Sequence, residues 1–417
     1  MSTHMQAAHT APDLPRKAVA GTLIGACSAV FVAQASSSIP STLNGLFVAQ
    51  LGATGSHLTW ITAAFMIAVV VFEFTFGGVL GDLFGRKKLV VAGGAGVLLL
   101  GLIVCATAPV PIMIVVGSAL NGLGAGAMLP GSLSLAAAVT HTPPASRARA
   151  VATWAGFLSA GGGAAPLLGG LFGTYGSWRG AYWVLVALTA LSILLTLFLA
   201  TESSAPEGRK MDVPPGQVTF AVGLILVLVA TVQGPEVGWG HPPWIWVLFV
   251  IGAVFLVAFV FIESRVESPI LHLDLFRNRA FAVSSIVAIF GMFAFLGGGY
   301  AISMWMGPIQ HQDALRIAAV FIVLQLPTFL LIPVMSRVTT RVRPVWLLSG
   351  GFVLMSAGYF LLTGLNIHDP ALVAFLVPAL LIGGRLRSGA ELGDGRGAEF
   401  GAAAPGRDGE RHHQHDP

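Results

Sequence analysis

Apolar runs of about twenty residues recur along the chain, and this recurrence limits the fold more than any other feature. At a helical rise of about 1.5 Å per residue, such a run crosses a hydrocarbon core of about 30 Å. Eleven runs have this character: Val19 to Val48, Leu58 to Gly81, Leu89 to Ala108, Pro111 to Val139, Val151 to Phe172, Ala181 to Ala200, Val218 to Val232, Trp244 to Ile262, Phe281 to Met306, Ile317 to Met335 and Val345 to Leu365. A bilayer core has no water to satisfy peptide groups, so each run is expected to be helix. The fold class is therefore all-α, a polytopic membrane helix bundle. Only 10% of the residues are charged, too few to cover a water-facing surface. The first run is too long for a signal peptide and carries Gln34 and several serines, so it reads as span one.

The net charge of +4 matters less than where the cations fall, and it points to no nucleic-acid partner. With the N-terminus cytoplasmic, the inner connections hold Arg16, Lys17, Arg86, Lys87, Lys88, Arg147, Arg149, Arg209, Lys210, Arg265, Arg277, Arg279, Arg337, Arg341 and Arg343. The outer ones hold only Arg179 and Arg316. Trp60, Trp178, Trp183, Trp239, Trp244, Trp246 and Trp305 lie at the opposite ends, as an outer aromatic belt requires. Both signals give a multi-pass cell-membrane protein with its N-terminus inside. Cys27 and Cys105 sit in apolar runs with no His or Asp at ligand spacing. Neither a disulfide framework nor a metal site is expected, and no cofactor is implied.

Between spans two and three stands Gly78-Val-Leu80-Gly81-Asp82-Leu-Phe-Gly85-Arg86-Lys87-Lys88. Its glycines permit a tight connection and close helix approach, and Asp82 suits a helix end. With this pattern in this topological place the chain resembles the major facilitator superfamily, whose hallmark loop joins the same two spans. Span five runs from Trp154 through Gly161-Gly-Gly-Ala-Ala-Pro166-Leu-Leu-Gly169-Gly170 to Trp178-Arg179. It is similar to the antiporter signature of drug exporters, with Ala165 in place of the usual glycine. Small residues and a proline let such a helix bend and pack closely.

The resemblance extends to the fourteen-span drug:proton antiporter branch, which implies a 6+2+(incomplete 6) arrangement. Residues 1–200 are the N-terminal six-span half, 201–217 a cytoplasmic linker, 218–262 two inserted spans and 263–384 an incomplete C-terminal half. The connection from Ser336 to Pro344 stands where a second half would repeat the hallmark loop, with Thr340 where an acid is expected, a degenerate repeat. A twelfth apolar run, Ala371 to Gly384, is too short to cross. Residues 385–417 are Gly, Ala, Arg and acid without an apolar run and are expected to be disordered, the His-rich end being solvated tail. The change at Gly384 resembles a frameshift or truncation; the rival is a genuine short variant completed by a partner chain.

Two family features are missing. The apolar stretch ending at Pro40 has no acid, and Ser118-Ala-Leu-Asn121-Gly122 lacks the arginine usual in span four. One acid does lie within a span: Glu73, about 13 Å from the cytoplasmic end of span two. A carboxylate there is costly unless paired, hydrated or protonated, which makes Glu73 the proton-coupling candidate. Bonding to a neighbouring helix as a neutral acid, or lying near the cytoplasmic vestibule, is the alternative. Gln34, Ser37, Ser38 and Ser41 share one face of span one, and Ser118 with Asn121 one of span four. They suit either a substrate path or helix-to-helix hydrogen bonding.

The resemblance implies secondary active efflux of amphipathic small molecules, drug or antibiotic, by proton antiport with alternating access. The partners are then a small-molecule substrate, protons and the lipid bilayer. Uptake or uniport on the same fold, and a transport-inactive membrane protein, are the other readings. No Ser-His-Asp, metal or nucleotide-phosphate constellation points to an enzyme.

Overall fold

The computed structural model describes residues 15–76, 85–138, 144–202, 215–240, 243–266, 277–338, 344–365 and 372–383. Among them every regular element is helical. In chain order these are α1 (Arg16–Ser38), α2 (Asn44–Leu51), α3 (Gly55–Phe76), α4 (Gly96–Thr107), α5 (Pro111–Ala138), α6 (Pro144–Tyr175), α7 (Trp178–Leu199), α8 (Pro215–Val237), α9 (Trp244–Glu263), α10 (Arg279–Met304), α11 (Ala314–Val338), α12 (Pro344–Thr363) and α13 (Leu372–Gly383). Nine helical segments among the described residues are long and apolar enough to cross a bilayer.

The structure departs from the sequence reading where helices change geometry. The first apolar run is not one helix. Pro40 has no N–H to continue the ladder, and the chain passes from α1 through a 3-10 turn, Ile39–Thr42, into α2. Gly52, left-handed at φ 67°, then stops α2. The third run starts with a helical turn, Arg86–Lys88, and a π-helical stretch, Leu89–Ala95, ahead of α4. The ninth ends in a π-helical stretch, Trp305–Ile309, around Pro308. The last run forms only the 12-residue α13, about 18 Å long and shorter than a bilayer core.

α1 is the hub of the first core and packs on α5, α6 and α7; α3 packs on α5, and α4 on α5 and α7. Lipid tails are as apolar as the helices, so association depends on close approach and on hydrogen bonds between helices. Both are visible between α1 and α7. A Cβ at Gly21 would stand 2.6 Å from the Leu199 carbonyl oxygen, and one at Gly25 3.1 Å from Thr196 Cα. The hydroxyls of Ser28 and Ser192, and of Thr22 and Thr201, bond at 3.0 Å each.

α8 and α9 form an antiparallel pair that docks on α3 through α8. Ser56 of α3 donates to the Glu236 carboxylate of α8. In the amide orientation that satisfies both of its ends, Gln233 donates to Glu236 Oε2 at 3.0 Å and accepts from Trp60 Nε1 at 3.2 Å. A second apolar core gathers Ile302, Ile317, Val320, Leu324, Met355, Phe375 and Ile382 from α10 to α13.

The ends of the bundle differ in chemistry. Arg16, Lys17 and the Arg86–Lys88 turn begin helices at one end, here the basic end. At the other, Trp178 is fully buried and meets Phe47 and Tyr182 edge-on, with ring centroids 5.2 and 6.0 Å away. Its Nε1 donates to Gln50 Oε1 at 2.9 Å, and Arg179 stacks on the ring while donating to the Ala108 carbonyl at 2.8 Å. Trp178 therefore ties α2 to α7, and Arg179 beside it adds the end of α4. Trp178→Ala should lower stability by about 3–5 kcal/mol, read as a reduced melting temperature of the detergent-solubilised protein.

Candidate functional site

The polar face of α1 survives folding as a half-buried stripe. Gln34, Ser37, Ser38 and Ser41 are each partly exposed, while Val32, Ala33, Ala35, Ser36, Ile39 and Pro40 between and around them are buried. The hydroxyls bond back to their own helix: Ser37 and Ser38 to the Gln34 carbonyl at 2.8 and 3.2 Å, and Ser41 to that of Ser38 at 2.6 Å. A hydroxyl satisfied this way needs no neighbouring helix. Thr22 and Ser28, on the other side of α1, bond back in the same way, to the Ala18 and Gly25 carbonyls at 2.9 Å each, and also carry bonds between helices.

Ser37 lines a small cleft of about 10 Å³, room for about one water, together with Thr62 and Met66 of α3 and Ser118 of α5. Asn121 does not join it. It is buried against α4, where Nδ2 donates to Cys105 Sγ at 3.8 Å and Oδ1 meets no partner among the described residues. Both polar residues of span four are buried toward Cys105 of α4, which comes close at Gly101, and Ser118 also lines the cleft.

Glu73 is exposed, as are Met66 and Val70, and the three share one face of α3. Thr62 lies on the same meridian, so Glu73 stands about 16 Å along the helix from Thr62 and about 10 Å from Met66 at the near edge of the cleft, toward the basic end. Near the opposite end this face meets α10, where the Thr59 and Tyr300 hydroxyls bond at 3.0 Å.

The glycines of α6 serve two neighbours. A Cβ at Gly161 would approach the Phe31 carbonyl oxygen of α1 to 2.3 Å, and one at Gly169 would strike Thr42 Oγ1 at 2.2 Å. Gly170 instead faces α11, where a Cβ would come 2.7 Å from Ala318 Cβ and 3.0 Å from the Ala314 oxygen. Pro166 is buried between them. The antiporter-like helix is therefore wedged between the hub of the first core and the second core.

Other contacts between the two cores lie on the Trp178 side. Asn44 Nδ2 donates to Ser303 Oγ at 2.8 Å, Ser303 donates to the Ser41 carbonyl, and the Leu315 N–H donates to Thr174 Oγ1 at 3.1 Å. Sequence reasoning missed Asn44, Tyr300, Ser303 and Gln325. Gln325 had a usable signal, a lone amide inside an apolar run as Gln34 is.

Gly78 and Asp82 lie outside the described residues. Gly85 has φ 92°, and a Cβ there would stand 2.5 Å from Glu202 Oε1, the oxygen that accepts the Lys87 N–H at 3.0 Å. Arg86 is half-buried beside it. The carboxylate after α7 thus holds the start of the α4 segment through a gap that only glycine leaves open. If the chain transports as proposed below, Gly85→Leu slows transport at least tenfold without weakening substrate binding, checked by paired flux and binding assays. Among the described residues no group of His, Cys, Asp or Glu could hold a metal ion.

Two helix sets that meet along a polar seam, with a glycine-rich helix wedged between them, define a multi-pass helical membrane protein. The Major Facilitator Superfamily model matches residues 26–384, and the chain belongs to that family. "Multidrug resistance protein Stp" of Mycobacterium tuberculosis (strain CDC 1551 / Oshkosh) is 32% identical over 235 residues, 56% of this chain and 43% of that protein. "Puromycin resistance protein pur8" of Streptomyces alboniger is 30% identical over 348 residues, 80% of this chain and 66% of that protein. The chain thus spans about half to two thirds of the length of these relatives. Among solved structures, that of the POT family transporter PepTSo matches with a TM-score of 0.60 at 16% identity, over 93% of this chain and 84% of that one. That likeness concerns the fold alone.

Proposed function

We propose that the protein exports amphipathic small molecules, drugs or antibiotics, from the cell by alternating access. The observation that carries this is the seam. The stripe of α1 borders the boundary between two separately packed cores at Gln34, beside Gln325, and at Ser41, which accepts from Ser303, and α3 meets that boundary at Thr59, beside Tyr300. Polar groups at a boundary between cores that can move serve a solute, whereas polar groups buried within one core serve its packing. The resistance proteins among the relatives support export over uptake.

The finer reading is proton antiport within the fourteen-span branch. Residues 1–200 then form the first half, 201–217 the linker, 218–262 the inserted pair and 263–384 what is present of the second half. The basic end faces the cytoplasm, as the Lys and Arg distribution favours. Glu73 carries the coupled proton, since α1 and α3 hold no other acid. The loop of Gly78, Asp82, Gly85 and Arg86 and the α6 glycines then serve the cycle.

Accumulation of a panel of cationic and neutral drugs in a hypersensitive bacterial host, with and without the chain, tests the proposal. Lower steady-state accumulation that a protonophore abolishes supports it. Higher accumulation with the chain would replace it by an uptake carrier.

A further inference from the structure

Gly162 of α6, one residue from the glycine that meets α1, marks a place where both cores send an amide. A Cβ at Gly162 would lie 3.2 Å from Gln325 Nε2 of α11 and 3.7 Å from Gln34 Nε2 of α1. The two side chains are therefore neighbours across the seam, and both are half-buried. Gln34 spends one N–H on Ser37 Oγ at 3.2 Å, and no other side-chain bond of Gln34 is present among the described residues. Gln325 makes none there at all. Both amides keep donors and acceptors that no described side chain uses and that are open to solvent, so a bound group can take them without breaking a bond within the chain.

We infer that Gln34 and Gln325 form a two-sided reading site for an uncharged polar group of the substrate, a carboxamide or a neighbouring hydroxyl and carbonyl. Each amide offers a donor and an acceptor, so a group with both can bridge the two cores. The nearby cleft supplies Ser37, Thr62 and Ser118 with Met66 and contains no carboxylate, while Glu73 stands about 10 Å beyond Met66 along α3. A permanent cation entering here would lose hydration with no counter-charge to replace it. The site thus favours neutral hydrogen-bonding amphipaths. This assignment of substrate class rests on the export reading, because only a transported solute has reason to touch both cores.

The test uses the full chain in lipid nanodiscs with two probes. Chloramphenicol is uncharged and carries a secondary amide and hydroxyls; tetraphenylphosphonium is an apolar cation without donors or acceptors. Radiolabelled chloramphenicol should bind, the phosphonium at equal concentration should not displace it, and Gln325→Leu should weaken binding at least tenfold with an unchanged melting temperature. A second measurement does not depend on that variant. With Cys27→Ala and Cys105→Ala as background, Gln34→Cys and Gln325→Cys should be joined by a short bifunctional thiol reagent, and chloramphenicol should slow the joining at least fivefold. Failure to cross-link, cross-linking indifferent to chloramphenicol, or no chloramphenicol binding by the wild-type chain would each overturn the inference. If cells with the chain show no export while binding and protection persist, the export reading falls and the amide site stands. If the chain exports yet Gln325→Leu binds and exports like wild type, the site falls and export stands.

Discussion

Glu73→Gln should cut concentrative export at least tenfold while leaving downhill substrate exchange and membrane insertion intact. The amide keeps the size of the carboxyl and its ability to accept hydrogen bonds but cannot gain or lose a proton. Glu73 lies on the exposed face of α3, with Met66 and Val70. A carboxylate within a membrane helix is costly, and such positions are kept for function when the group faces a cavity or a partner. The comparison is made in proteoliposomes with an imposed pH difference. Wild-type export should rise with the inward proton gradient, and the Gln variant should show no dependence on it. Concentrative export by the Gln variant would remove Glu73 from the coupling step.

The helices were legible because their signal is local: apolar length, broken by cations and turn residues, needs no tertiary information. What the sequence could not give was which face of each helix finds which neighbour. Ser118 and Asn121 occupy one face by spacing, and the approach of α4 at Gly101 buries both beside Cys105, with Ser118 at the edge of the cleft. The stripe from Gln34 to Ser41 was readable as a face; that its hydroxyls bond back to their own helix was not, because spacing does not fix rotamers. Gln325, Ser303 and Tyr300 were overlooked because each pairs with residues more than 160 positions away, at Gly162, Asn44 and Thr59. The breaks at Pro40 and Pro308 were also invisible to a count of apolar residues, which passes through a helix kink unchanged.

The glycines of α6 give the other large effect, because two of them, nine residues apart, should fail in different ways. Gly161→Val places a side chain where the Phe31 carbonyl already stands 2.3 Å from the Cβ position. That oxygen belongs to backbone of the α1 hub, so relief requires α1 and α6 to separate within the first core. Overpacking of this kind costs about 1–3 kcal/mol or more, and with rigid backbone on both sides the upper end applies. The variant should yield less than a tenth of the wild-type amount of monodisperse protein. Gly170→Val meets Ala318 and Ala314 of α11, which belong to the other core, so the two cores can part slightly without disturbing either. Its folded yield and melting temperature should stay near wild type while transport drops at least tenfold, because the seam can no longer close at this point. Fluorescence-detected size exclusion and a flux assay on the same preparations separate the two outcomes. Equal loss of folded protein in both variants would mean that α6 packs as one structural unit, and that its contact with α11 is not a moving boundary.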